Sequence, residues 1–345
     1  MSEKLLKNVI KIKPTIITYK HLKNKHMKKN ILSIAISSLI VITIVITSSC
    51  KKDSTTTSAS PTYNTSDTNS ARDHQDAENN SNDVDQMGAE GMDNGNINAN
   101  YRTVSGALLS PMSGSITITP NPVNKTLVLT FSNYIGLDGH LRNGTIMYDY
   151  SASVNSATHY RDSGIVITIT TPNNDYYVDS NKIQVNKTIA NKGRITNGNL
   201  TWHITTNLTI TKANNGGIIQ WSSTRDNILL NTNTISYNGA TIQASFTGYN
   251  TPINWSTAVL GIIGSANGVS SDGISFMANI SAMLVRNFNC SPSLIHHHFH
   301  PFVAGEIDFT PSGKTTRKIN FGAGACDETY TISIGNWSVT ITYVF

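Results

Sequence analysis

The chain has 345 residues, with 26 Lys and Arg against 21 Asp and Glu, a formal charge of +5 and a charged fraction of only 14%. Nine of the basic residues, all lysines, lie in the first 49 positions beside one acid, Glu3, so the remainder carries 17 basic and 20 acidic side chains, net about −3. Nucleic-acid binding needs a concentrated basic footprint, and beyond residue 49 the sequence has none, which excludes nucleic acid as a partner.

From Ile31 to Thr47 every residue is apolar, Ser or Thr, a run of 17 without charge. A membrane-spanning helix wants about 20 apolar residues, whereas the apolar part of a signal peptide needs only about 7–15. Lys20, Lys23, Lys25, Lys28 and Lys29 precede the run and supply the positive flank that stays inside during export. Met27 would begin a compact signal peptide, making the first 26 residues an over-extended start or a long leader. The run closes Thr47-Ser48-Ser49-Cys50, which resembles the lipobox of bacterial lipoproteins, although Thr47 stands where Leu, Val or Ile is usual. The resemblance implies removal of residues 1–49, a lipid on Cys50, and an exported protein held to the outer membrane or cell surface. An uncleaved helix with an incidental cysteine is the competing reading. Several acyl chains matter because one chain anchors only marginally, at about 0.8 kcal/mol per buried methylene.

Residues 50–99 are mostly Ser, Thr, Asn, Asp, Gln and Glu, with Pro61, Tyr63, Val84, Met87, Met92 and Ile97 as the few larger non-polar or aromatic residues. Ordering a backbone costs roughly 1–2 kcal/mol per residue, and so polar a stretch has little to set against it. The composition predicts a disordered, mildly acidic tether.

From about residue 100 to 345 the texture becomes short alternating runs. Leu127, Leu129 and Phe131, then Ile165, Ile167 and Ile169, then Ile204, Leu208 and Ile210, repeat with a period of two, the spacing that puts one apolar face on a strand. Trp337, Val339, Ile341, Tyr343 and Phe345 do the same at the end, and many intervening positions are Thr, which suits a wet sheet face. Asn143-Gly144, Ser163-Gly164, Asn197-Gly198, Asn238-Gly239 and Ser312-Gly313 read as turns. The prediction is all-β: an antiparallel β-sandwich-like body, one large or two stacked modules, with a subdivision near 190–215 as one arrangement. Sparse charge leaves edge protection to loops or closure.

Residues 283–345 are similar to the end of a group of β-rich lipoproteins of Bacteroidota. The matching pieces are Leu284 to Cys290, Gly305-Glu306-Ile307-Asp308-Phe309, Lys314 to Asn320, Phe321 to Asp327, and the closing strands through Trp337 and Tyr343. Tyr148 to Asn191 resembles the middle of the group more loosely, and Gly136–Gly144 lacks the cysteine that relatives often carry in a preceding loop. The resemblance implies a surface-exposed β domain and no particular activity. With Cys50 lipidated, Cys290 and Cys326 remain, in a compartment where disulfides persist. A bridge between them would be worth roughly 2–4 kcal/mol; two free thiols or metal ligation are the alternatives.

The one unusual constellation is His296-His297-His298-Phe299-His300. On an extended strand His296, His298 and His300 would share a face, and three neutral imidazoles suit Zn or another transition metal. Pro292 and Pro301 bracket the segment, so an exposed loop without a site competes with that reading. A Cys290–His nucleophilic pair would need a free thiolate, which a disulfide removes. There is no Gly-x-Ser-x-Gly, His-Glu-x-x-His or Cys-x-x-Cys, and no carboxylate pair stands out for glycoside hydrolysis. Tyr148, Tyr150, Tyr160, Tyr176 and Tyr177, with Trp202, Trp221, Trp255 and Trp337, are assigned to the core rather than to a stacking platform, with one of the adjacent Tyr176-Tyr177 pair expected on the surface because neighbouring strand residues face opposite ways. No catalytic residue or cofactor is assigned. The expected function is non-enzymatic: adhesion, glycan contact, or assembly with an envelope or host protein. The alternative is a metal-binding protein or metal-dependent enzyme centred on the histidines.

Overall fold

The computed structural model describes residues 62–95, 111–230, 234–243, 258–290 and 302–343, apart from 137, 155–156, 158, 195–197 and 238–239. Cys50, His296, His298 and His300 lie outside the described residues, as does the apolar run before Cys50.

Alternation of apolar and polar residues produces strands throughout. In chain order they are β1 (Pro111–Asn121), β2 (Thr126–Gly136), β3 (Leu141–Asp149), β4 (Val166–Thr170), β5 (Tyr177–Val178), β6 (Asn181–Asn191), β7 (Thr201–Thr211) and β8 (Ile218–Leu229). They continue with β9 (Thr234–Tyr237), β10 (Ala240–Gln243), β11 (Val259–Val269), β12 (Ser275–Asn287), β13 (Phe302–Pro311), β14 (Arg317–Ala323), β15 (Thr329–Ile334) and β16 (Trp337–Thr342). Fourteen form one antiparallel sheet in the order β1-β2-β3-β4-β6-β7-β8-β11-β12-β13-β14-β15-β16, with β5 bridging β3 and β6. Strands β9 and β10 make a separate hairpin. The body is therefore all-β and a single module. A subdivision near 190–215 does not occur, because β6 and β7 pair from Lys182–Thr211 to Asn191–Trp202 across that region.

One face of the sheet is apolar and closed off. Leu127, Leu129, Ile146, Ile167, Ile169, Ile183, Ile204, Ile210, Phe309, Ile319 and Ile332 are each no more than 2% exposed and belong to one core cluster. At about 25 cal/mol per Å² of apolar surface, this face supplies the main driving force for the body.

The polar stretch before the sheet is where expectation and structure part. Instead of a disordered tether, residues 69–95 form helix α1 (Asn69–Gly95), entered through a short 3₁₀ turn at Thr65–Thr68. Asn64 caps that turn: its side chain accepts from the Ser66 N–H while Asp67 Oδ2 accepts from the Asn64 N–H, a capping box. The helix is buried on almost every side, with Ala71, His74, Ala77, Glu78, Val84, Met87 and Glu90 all at or below 2% exposure. Strands far apart in the sheet touch it. The Tyr148 hydroxyl on β3 donates to the Val84 carbonyl at 2.9 Å, and the same ring lies where a Cβ on Gly88 would come within 2.3 Å. Leu127 and Leu129 on β2 pack at Gly91, while Phe276 on β12 and Phe309 on β13 pack against His74. The sheet curls around the helix and encloses a core in sandwich fashion. No helix of the described residues is long and apolar enough to cross a membrane.

Candidate functional site

Two surfaces concentrate polar chemistry: the inward face, where the sheet meets α1, and the outward face of the same strands.

Alternation sends Arg142, Lys187, Arg225 and Arg317 inward, among positions otherwise held by aliphatic and aromatic residues, and all four are at most 4% exposed. Each meets the helix or its entry turn. The Arg142 Nη2 lies 2.7 Å from Asp83 Oδ2 and 2.5 Å from Asp138 Oδ2, and its Nη1 donates to Asp138 Oδ1 at 2.9 Å. Lys187 Nζ lies 2.6 Å from Asp85 Oδ1 and donates to the Ser81 carbonyl and hydroxyl at 2.9 and 2.8 Å. Arg225 Nη2 stands 2.8 Å from Glu78 Oε2. Arg317 donates to the Asp67 carbonyl at 3.3 and 3.4 Å. At the rim, Lys212 Nζ is 2.5 Å from Asp73 Oδ1, and Ser271 donates its N–H and hydroxyl to Asp73 Oδ2 at 2.7 and 2.6 Å.

Burial and pairing pull these groups in opposite directions. Burial pushes the Glu78 carboxyl up, but Arg225 outweighs it and holds the group below the usual carboxylate range. Asp138 behaves likewise beside Arg142, whereas burial prevails at Asp83 and Asp85 and raises both. Burial lowers Lys187, and it brings Arg286 down to about 10. His74 accepts a 2.9 Å hydrogen bond from Trp221 Nε1 at Nδ1, so its proton sits on Nε2, a buried atom with no partner among the described residues. Burial lowers its pKa to about 4, so the ring is neutral at physiological pH.

The inward arrangement fixes a helix. Beside Arg286, a cavity lined by Asn82, Asp85, Gln86, Asn227 and Phe288 has room for about one water and no larger ligand. Among the described residues no group of three or more His, Cys, Asp or Glu is placed to hold a metal ion. Three His–Asp contacts lie toward the outside and are separate from one another: His140–Asp179 at 2.5 Å, His203–Asp226 at 2.7 Å and His159–Asp162 at 3.3 Å. The first joins residues 39 apart, so no local motif announces it.

Cys290 and Cys326 form a disulfide, with Cα atoms 5.4 Å apart. It ties the end of β12 to the β14–β15 connection, and the His296–His300 segment falls within the loop it closes. Of the aromatics assigned to the core, Tyr148, Tyr150, Tyr160, Tyr176, Trp202 and Trp221 are buried, Tyr177 is the exposed member of its pair, Trp337 is half-buried, and Trp255 lies outside the described residues.

The outward face is different in kind. Following the register from β4 through β6, β7, β8 and β11 to β12 gives one continuous row: Thr168, Thr188, Thr205, Thr224, Ser265 and Asn279. All six are exposed or half-buried, and none is ionisable. Comparison with family models, curated proteins and solved structures finds no match.

Proposed function

We propose that the chain is a lipid-anchored cell-envelope protein of the β-rich Bacteroidota type, held to the bilayer through Cys50, whose body binds another molecule without transforming it. The anchor rests on Lys28-Lys29, the apolar run Ile31–Thr47 and Ser48-Ser49-Cys50. The observation that carries the binding role is the filled interior: α1 occupies the inward face and pairs its carboxylates with Arg142, Lys187 and Arg225. Recognition is thereby left to the outward face, and the partner is an envelope or host molecule, with glycan among the candidates. The anchor is tested by expressing the full chain in a bacterium fed an alkyne-tagged palmitate analogue. Label should enter the wild-type protein and disappear in Cys50→Ala; an unlabelled wild type overturns the anchor.

A further inference from the structure

The outward row described above has a neighbour two residues along each strand. It passes Asn186, Asn207, Ser222 and Asn267 before reaching Met277 on β12. Where these rows cross β8, β11 and β12 the surface sinks into an open groove, lined on its outward side by Gln220, Ser222, Ser265, Asn267, Val269, Ser275, Met277 and Asn279. A register shift in the β11–β12 pairing between Ile262 and Ser265 places a bulge beside it, a feature that bends a strand locally.

The lining dictates what can bind. It contains no ionisable side chain, so a charged ligand entering it would surrender hydration without gaining a counter-charge. Charges return at the margins, at Asp308 opposite Asn279, at Asp226 with its partner His203, and at Asp272 in the turn between β11 and β12. The Ser222 hydroxyl donates to Asn207 Oδ1 at 2.8 Å, while Gln220, Asn267 and Asn279 make no side-chain hydrogen bond with a described residue. Each free amide offers two donors and an acceptor, and the three step diagonally across β8, β11 and β12 at about 7–8 Å intervals. In the middle stands Met277, 61% exposed, an adaptable apolar surface. Uncharged donors and acceptors set diagonally beside the apolar Met277 and Val269 match a chain of hydroxyls and C–H faces.

We propose that this groove binds a neutral polysaccharide; the assignment deepens the reading of the body as a binding domain and rests on it. The test is native electrophoresis of the detergent-solubilised full chain in gels containing a neutral β-glucan, mannan or xylan, with the anionic polymer alginate for comparison. At least one neutral polymer should retard the protein and alginate should not. Asn267→Lys combined with Asn279→Lys should weaken retardation tenfold or more, and Met277→Ala severalfold. Thr117→Lys, on β1 and away from the groove, should be retarded as strongly as wild type when each is measured against its own mobility in a polymer-free gel. Thermal melts of each variant separate lost binding from lost folding, and Met277→Ala carries the test should the double lysine variant unfold. No retardation in any neutral gel, stronger retardation by alginate, or wild-type retardation of a folded groove variant overturns the proposal. Acylation of Cys50 without polysaccharide binding would sink the groove and leave the anchor standing; the reverse result would sink the anchor alone.

Discussion

Lys187 and Thr188 are neighbours on β6, as are Thr224 and Arg225 on β8, yet members of each pair point to opposite sides of the sheet and live in opposite chemistry. Inward, the charged residues are buried against α1; outward, across six strands, the row through Thr188 and Thr224 carries no charge. Most proteins reverse this, placing Lys and Arg in water. The inversion teaches that the cations here serve assembly of sheet and helix rather than solubility. A buried ion costs several kcal/mol in lost hydration unless its partner is in place, so neither the inward face nor α1 is stable in its present form without the other. Sheet and helix are expected to fold as one cooperative unit.

Removing one inward partner gives the largest expected effect. Arg142→Ala leaves Asp83 and Asp138 facing each other in the interior, and loss of one member of a buried pair costs about 3–5 kcal/mol. Urea unfolding should show the midpoint falling accordingly. A loss below about 1 kcal/mol would mean that the inward charges are hydrated and that the contrast between the faces is superficial.

His74 allows the same interface to be read by pH. Its folded pKa is about 4 against an ordinary 6.5, because burial opposes protonation. The unfolded chain therefore binds the extra proton first as pH falls, and stability from this group is present above pH 6.5 and lost as pH drops toward 4. The difference corresponds to about 3 kcal/mol. Glu78, held low beside Arg225, adds loss of the same sign at more acid pH, whereas raised Asp83 and Asp85 work against it. His74→Gln, in which the amide can still accept from Trp221, should flatten the slope of stability between pH 6.5 and 4. An unchanged slope would show that this ring is hydrated in the folded state.

Packing of the helix against the sheet comes next in size. A Cβ on Gly88 would sit 2.3 Å from the Tyr148 ring, whose hydroxyl is already committed to the Val84 carbonyl. Gly88→Ala should cost about 1–3 kcal/mol through overpacking, although alanine favours helix by up to about 1 kcal/mol over glycine. Net stabilisation in thermal melts would place the helix farther from β3 than these contacts have it.

The strands were legible because a period of two survives in sequence whatever the partner strand does. Leu127, Leu129 and Phe131, or Ile165, Ile167 and Ile169, announce an inward face locally. Helix α1 was not legible because the rule for disorder weighs a segment against water, and its real partners lie 59 residues away at Arg142, 106 at Lys187 and 147 at Arg225. Two signals were nevertheless present. Asn64 and Asp67 have capping-box spacing, and Lys187 occupies an inward position between Val185 and Ile189 where an aliphatic residue is expected. A cation in that register asks for a buried anion, and the acidic stretch was the largest supply in the chain. The outward groove was illegible for a different reason: its rows cross strands, so Ser222 and Asn267 become neighbours only through register.

The smallest expected effect is the sharpest check on the outward face. If the row through Thr188, Thr205 and Thr224 is a surface for recognition, its hydroxyls are free to change without harm to the fold. Thr205→Val keeps the β-branched shape that a strand favours and deletes only the hydroxyl, so stability should move by no more than about 0.5 kcal/mol, measured beside Arg142→Ala under the same urea conditions. A cost above about 1 kcal/mol would mean that the Thr ladder holds the strands together, and the two faces would then differ in the kind of bond they make rather than in what they are for.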